Sequence, residues 1–172
     1  MRRRTTQAVV AGAIAILVGV AGVTVAGADD NDGGVQARLK GFEEVPAVST
    51  VASGRFSAQI DSAAQRIDYE LSYRDLEAPV LFAHIHLGQR TANGGVAAFL
   101  CGGGSKPACP QSGTVTGTIV PADVIGPASQ GIAPGEFDEL VTAIRAGVTY
   151  ANVHSEKFPG GEIRGQIRSD DD

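Results

Sequence analysis

The chain has 172 residues, with 14 Lys and Arg against 19 Asp and Glu and a formal charge of −5 at pH 7. That length makes one domain, with or without a tail. The acidic balance, with no basic stripe in the body of the chain, argues against nucleic acid and against anionic lipid surfaces as partners.

The N-terminus reads as a targeting segment. Arg2, Arg3 and Arg4 precede an apolar run from Ala8 to Val25, and Ala26-Gly27-Ala28 supplies small residues before Asp29-Asp30. This pattern predicts a signal peptide over residues 1–28, cleaved after Ala28. The rival reading is an uncleaved membrane anchor, because the run is near the spanning length of about 20 residues. On that reading the segment is the chain's one contact with a membrane. Cleavage takes away three arginines and no acid, so 14 cationic side chains fall to 11 against 19 acids, a net charge of −8. Residues 29–34 read as an acidic linker, 35–168 as the folded domain and 169–172 as an acidic tail.

Period-two alternation runs through most of the domain. Val35–Lys40 is the first expected strand, and Pro46 marks an edge or bend after it. Ser53–Ile60 and Arg66–Tyr73 alternate next, joined by a five-residue link of hairpin type. Val80–Leu87 follows, with Leu81, Ala83, Ile85 and Leu87 on the core face and Phe82, His84 and His86 on a polar or half-covered face. Asn93-Gly94-Gly95 turns into Val96–Leu100, and Gly113–Val120 forms a sixth strand. A short turn is expected over 123–125. The period then changes. Phe137, Leu140, Val141 and Ile144 recur at helical spacing, which predicts a short covering helix over 136–146, with Gly147 as its C-terminal cap. Tyr150–Ile167 reads as a final hairpin around Pro159-Gly160-Gly161. Its polar side carries Tyr150, Asn152 and His154 on one strand and Glu162, Arg164 and Gln166 on the other. Together these make an all-β, antiparallel, Greek-key-like sandwich of about eight strands with one short helix.

Cys101 and Cys109 flank a Gly- and Pro-rich loop. In an exported chain, two close cysteines predict a local disulfide rather than a metal or redox pair.

All three histidines fall on the two most distinctive strands. His84 and His86 are two apart, so they share a face, and His154 lies on the polar face of another strand. Three imidazoles suit copper or zinc with a position left open. The competing readings are a structural cluster, with the histidines bonded to Glu162, Asn152 or backbone carbonyls, and a single catalytic histidine. Tyr150, Asn152, Glu162 and Arg164 are candidate supports of the site. A buried pair between Arg164 and a carboxylate such as Asp68 or Glu70 is the ordinary expectation for the arginine. No nucleophile elbow, P-loop or dinucleotide glycine pattern is present, and no catalytic residue is assigned.

Several stretches taken together, EEVPAVST (43–50), AHIHLG (83–88) and ANVHSEKFPGGEIRGQI (151–167), resemble the CHRD domain family, first described in chordin and found in secreted bacterial proteins. The resemblance spans roughly residues 35–168 and implies an extracellular β-sandwich more firmly than any activity. AHIHLG is also similar to the His-x-His strand of copper/zinc superoxide dismutase. That two-metal site needs more histidines than this chain has. The leading expectation is therefore an exported, non-enzymatic binding module, with copper or zinc held by His84, His86 and His154. Its partner is an extracellular ligand or protein of unspecified identity, and nucleic acid is excluded. The alternatives are a copper-dependent redox enzyme like a reduced superoxide dismutase, and a structural or adhesive cell-surface module without metal.

Overall fold

The computed structural model describes residues 33–170. The expected signal segment and its cleavage point lie outside the described residues, as do most of the acidic linker and the last two residues of the tail. Among the described residues, nine strands and one α-helix make up the fold. In chain order they are β1 (Gly34–Lys40), β2 (Ser53–Asp61), β3 (Arg66–Arg74), β4 (Val80–Leu87), β5 (Gly95–Cys101), β6 (Gly113–Ile119), α1 (Phe137–Arg145), β7 (Thr149–Ser155), β8 (Ile163–Gln166) and the short β9 (Arg168–Ser169). Short 3-10 turns cover Gly41–Glu43, Pro121–Asp123 and Ala128–Gln130.

The strands lie where the alternation puts them; β1 and β3 bury every second side chain, whereas β7 and β8 are buried on both faces. β3 runs Ile67, Tyr69, Leu71 and Tyr73 inward, and β2 sets Phe56, Ala58 and Ile60 beside them. The β2–β3 ladder is regular from Ser53↔Arg74 to Asp61↔Arg66. Its turn is held by the Asp61 carboxylate, which accepts from the Ala64 amide at 2.8 Å.

Strand order is β5-β4-β7-β8-β1-β2-β3-β6, antiparallel throughout, with β9 beside β1. The β7–β8 hairpin is inserted between β4 and β1, which is what brings residues 82–86 next to residues 150–154. Folded over on itself, the sheet is an almost closed sandwich around one core, in which Leu39, Phe56, Ile67, Leu71, Ile85, Leu100, Ile119 and Ile163 are fully buried. Tyr69 crosses that core to donate its hydroxyl to the Leu100 carbonyl at 2.6 Å.

α1 buries Phe137, Leu140, Val141 and Ile144, the stripe its periodicity predicts. It ends in a Schellman motif. Gly147 sits at φ +66°, its amide bonds to Ile144, and the Val148 amide bonds to Ala143. An L-residue with a side chain is disfavoured in that left-handed conformation. Cys101 and Cys109 are joined by a disulfide that closes the expected loop. No helix among the described residues is long and apolar enough to cross a membrane.

Candidate functional site

Cross-strand register assembles the site. Directly opposite residues of antiparallel strands share a face. Phe82 faces His154, His84 faces Asn152 and His86 faces Tyr150 across β4 and β7. Asn152 faces Arg164 and Tyr150 faces Gln166 across β7 and β8, while Phe99 of β5 stands opposite His84. The β4–β5 ladder shifts register at Ala83/His84 and again at Ile85/His86. Such irregularities bend a strand and re-aim its side chains.

This face was expected to be half-covered, and the structure corrects that. His84, His86 and His154 are only 5, 7 and 5% exposed. Three segments close over them. The stretch after β1 lies across the face, with Glu44 bonded to Asn152 and Thr50 bonded to Glu162. The segment 88–94 is pinned by Arg164, which donates to the carbonyls of Gln89 and Ala92 at 2.8 Å and reaches Asn93 Oδ1 at 3.3 Å. The turn between β7 and β8 offers the Pro159 carbonyl to His154. The outward face of a sandwich has become a second, polar core.

His84 meets His154 and His86 edge to face, with centroids 4.9 and 5.2 Å away. His86 Nδ1 lies 3.0 Å from the Gly94 carbonyl, and His154 Nδ1 lies 3.0 Å from that of Pro159. A carbonyl only accepts, so both Nδ1 atoms carry the proton and both Nε2 atoms present lone pairs. His84 Nδ1 is 3.2 Å from His154 Nε2 and donates to it. His86 Nε2 is buried and has no hydrogen-bond partner. One nitrogen from each ring falls within 4.8 Å of the others.

The environment keeps all three rings neutral. Burial, reinforced by the neighbouring His154 and His86, pushes His84 down to about 3. Burial takes His154 to about 4, against the opposing pull of the Pro159 carbonyl. His86 is lowered by burial too, although its bond to Gly94 works the other way. Phe82 and Phe99 wall the His84 ring at centroid distances of 4.8 and 4.4 Å.

The supporting residues divide their work differently from the expected pairing of Arg164 with Asp68 or Glu70. Asp68 and Glu70 are on β3, three strands away from β8 in the sheet, where Asp68 pairs with Arg66 and accepts from Thr118. Arg164 instead lies over the Tyr150 ring at 3.4 Å, and Tyr150 stacks on His86 at 4.7 Å with the planes 1° apart. Glu162, fully buried, accepts from Thr50, from the Glu77 amide and from Ser155. It holds the covering segments and touches none of the histidines. Asn152 bridges Glu44 and the Ile163 carbonyl. Its neighbour Gly161 has φ +129°, and a Cβ there would come within 2.6 Å of Glu44 Oε1.

Glu44, Phe82 and Phe99 were not among the expected site residues. Phe82 was legible, since it shares parity with His84 and His86. Glu44 sits in a loop, and no pattern in the sequence announces its burial. Burial lifts its carboxyl to about 7, despite the Asn152 bond and the Arg164 charge.

No curated protein and no solved structure matches the chain. The family model for the CHRD domain matches residues 35–167, from the first residues of β1 to the end of the β7–β8 hairpin. The match takes in all three histidines, the disulfide and the segments that cover the site, and the chain belongs to the CHRD domain family.

Proposed function

We propose that this chain is an exported CHRD module that holds one copper or zinc ion on His84, His86 and His154, and that it works by binding rather than by catalysis. The observation that carries the reading is the buried, unpartnered Nε2 of His86. In a purely hydrogen-bonded cluster that lone pair stays unsatisfied, at a cost of about 1–3 kcal/mol. A metal ion satisfies it.

The donor set fits such an ion. Metal-bound histidines commonly donate their second ring N–H to a backbone carbonyl, as His86 and His154 do here. The 3.2 Å between His84 Nδ1 and His154 Nε2 matches two nitrogens about 2.0–2.1 Å from a shared tetrahedral centre. Loading requires His84 to move its proton from Nδ1 to Nε2 and His86 to draw inward. Three neutral imidazoles favour copper or zinc over calcium or magnesium, which take oxygen ligands. Export is supported by the disulfide, which suits an oxidising compartment, and by the family's extracellular character. The binding role is supported by burial. With each histidine no more than 7% exposed, a substrate has no surface at the trio to approach.

Elemental analysis of the exported protein, purified without an affinity tag or chelator, tests this. The expected result is about one equivalent of copper or zinc per chain, with a fall in melting temperature when it is stripped. Metal-free protein whose melting temperature ignores added copper(II) and zinc(II) overturns the reading.

A further inference from the structure

A second site lies away from the histidines, along the seam where β1 meets β8 and β9. A cleft of about 350 Å³ opens there, lined among others by Arg38, Lys40, Glu43, Arg90, Gln166 and Arg168. Four of those side chains are cationic and one is a carboxylate. The linear sequence shows no basic run at these positions. The fold makes one by setting Gln36 opposite Arg168 and Lys40 opposite Arg164 across neighbouring strands. Arg90 is paired with Glu43 at 2.7 Å. Arg38, Lys40 and Arg168 are exposed and make no ion pair among the described residues. In a chain of net charge −5, a local surplus of unpaired cations in a concave site raises the concentration of anions there.

A second observation narrows the ligand. Gln166, 9% exposed, forms part of the cleft wall. Its Nε2 donates to the carbonyls of Gly88 and Gly147, which fixes the amide orientation. Its Oε1 is buried with no donor. The cleft therefore sets its cations beside uncharged polar residues, Gln36, Gln166 and Ser169, along one wall. Ser169 adds a hydroxyl to the wall. Phe42, in the turn between the lining residues Lys40 and Glu43, is 74% exposed.

We propose that this cleft binds an acidic saccharide, a hydroxyl-rich ligand bearing carboxylate or sulfate groups. Arg38, Lys40 and Arg168 hold the anionic groups, sugar hydroxyls meet the polar wall of Gln36 and Ser169, and the exposed Phe42 ring packs on a sugar C–H face. The volume accommodates one or two sugar rings. A lipid headgroup would share the charge but would leave the polar wall unanswered. None of the three histidines lines the cleft, so this site stands or falls independently of the metal reading.

Titration calorimetry on the exported protein tests it. The ligands are a sulfated and a uronic tetrasaccharide, with a neutral tetrasaccharide, inorganic sulfate, a duplex DNA and phosphatidylglycerol vesicles as comparisons. The expected result is binding of the acidic saccharides that weakens with salt. It falls at least about tenfold in the Arg38→Glu/Lys40→Glu double variant and in Arg168→Glu, each loss being about 1.4 kcal/mol or more. These exposed positions leave the melting temperature of the protein in place. The proposal is overturned by the absence of saccharide binding, or by equal binding of the neutral saccharide or of inorganic sulfate. It is likewise overturned by a preference for DNA or vesicles, or by undiminished binding in the variants.

Discussion

His84 is held on every side by something specific. Phe82 stacks on one face of the ring, Phe99 meets it edge-on, and its Nδ1 donates to His154. Placed on the outward face of a strand, the ring should be dispensable to the fold. Placed under the covering segments, it is part of a packed interior. His84→Ala therefore removes buried volume that its neighbours cannot refill and strips His154 Nε2 of its donor. The expected loss is about 2–4 kcal/mol in the metal-free protein, read from urea unfolding as a lower midpoint at unchanged slope. A loss below about 0.5 kcal/mol, the level of an ordinary surface change, would show that the ring is not packed as described. At this scale the sequence told which residues share a face, because parity is a local property. It did not tell which face is covered, because Glu44, Thr50, Asn93 and Pro159 close over that face from loops without periodicity.

Among the elements, strands and helix were legible nearly to the residue. β4 was expected over Val80–Leu87 and is found there, and α1 was expected over 136–146 and spans Phe137–Arg145. Pairing order was not legible. Nothing local says that the β7–β8 hairpin inserts between β4 and β1, and that insertion is what joins His154 to the other two histidines. The two-residue β9 was missed, since a bridge that short has no period to detect. The disulfide was read from spacing and export alone, and the bond is found as expected. Lys106 donates to the Thr118 carbonyl and pairs with Asp123, which also accepts from Ser105. Cys101 is fully buried. Replacing both cysteines by alanine should lower stability by about 2–3 kcal/mol through the entropy regained by the unfolded chain. The midpoint of guanidinium unfolding, compared between the oxidised protein and the double variant, is the check. Equal midpoints would mean that the loop is held by Lys106 and Asp123 without help from the bond.

For the whole molecule, the buried ionisable groups set the response to acid. A histidine in the unfolded chain titrates near 6.5, whereas His84 and His154 are pushed to about 3 and about 4 in the fold. Below pH 6.5 the unfolded chain takes up protons that the folded chain refuses. The stability contributed by these two rings is present above about 6.5 and is lost as pH falls towards 4. Glu44 acts in the opposite sense. Its folded value of about 7 lies above the ordinary 4.5, so the fold holds a proton that the unfolded chain releases, and its contribution declines as pH rises from 4.5 to 7. His86, also lowered by burial, acts in the same sense as the other two histidines. Together they outweigh the one glutamate, so the metal-free protein should lose at least about 2–4 kcal/mol between pH 7 and pH 4. Urea titrations at half-unit pH steps measure this. Glu44→Gln, which keeps an acceptor for Asn152 but cannot titrate, removes the opposing contribution and should steepen the loss. A curve that is flat between pH 7 and 4, or one that Glu44→Gln makes shallower, would contradict the burial assigned to these groups. The same two rings make the protein's answer to copper or zinc depend on pH. In the unfolded chain protons compete for these imidazoles from about 6.5 downward, while in the fold the lone pairs stay free to about 4. The extra stability conferred by the metal should therefore persist into mildly acidic solution, and thermal melts at pH 5.5 with and without added ion should still differ.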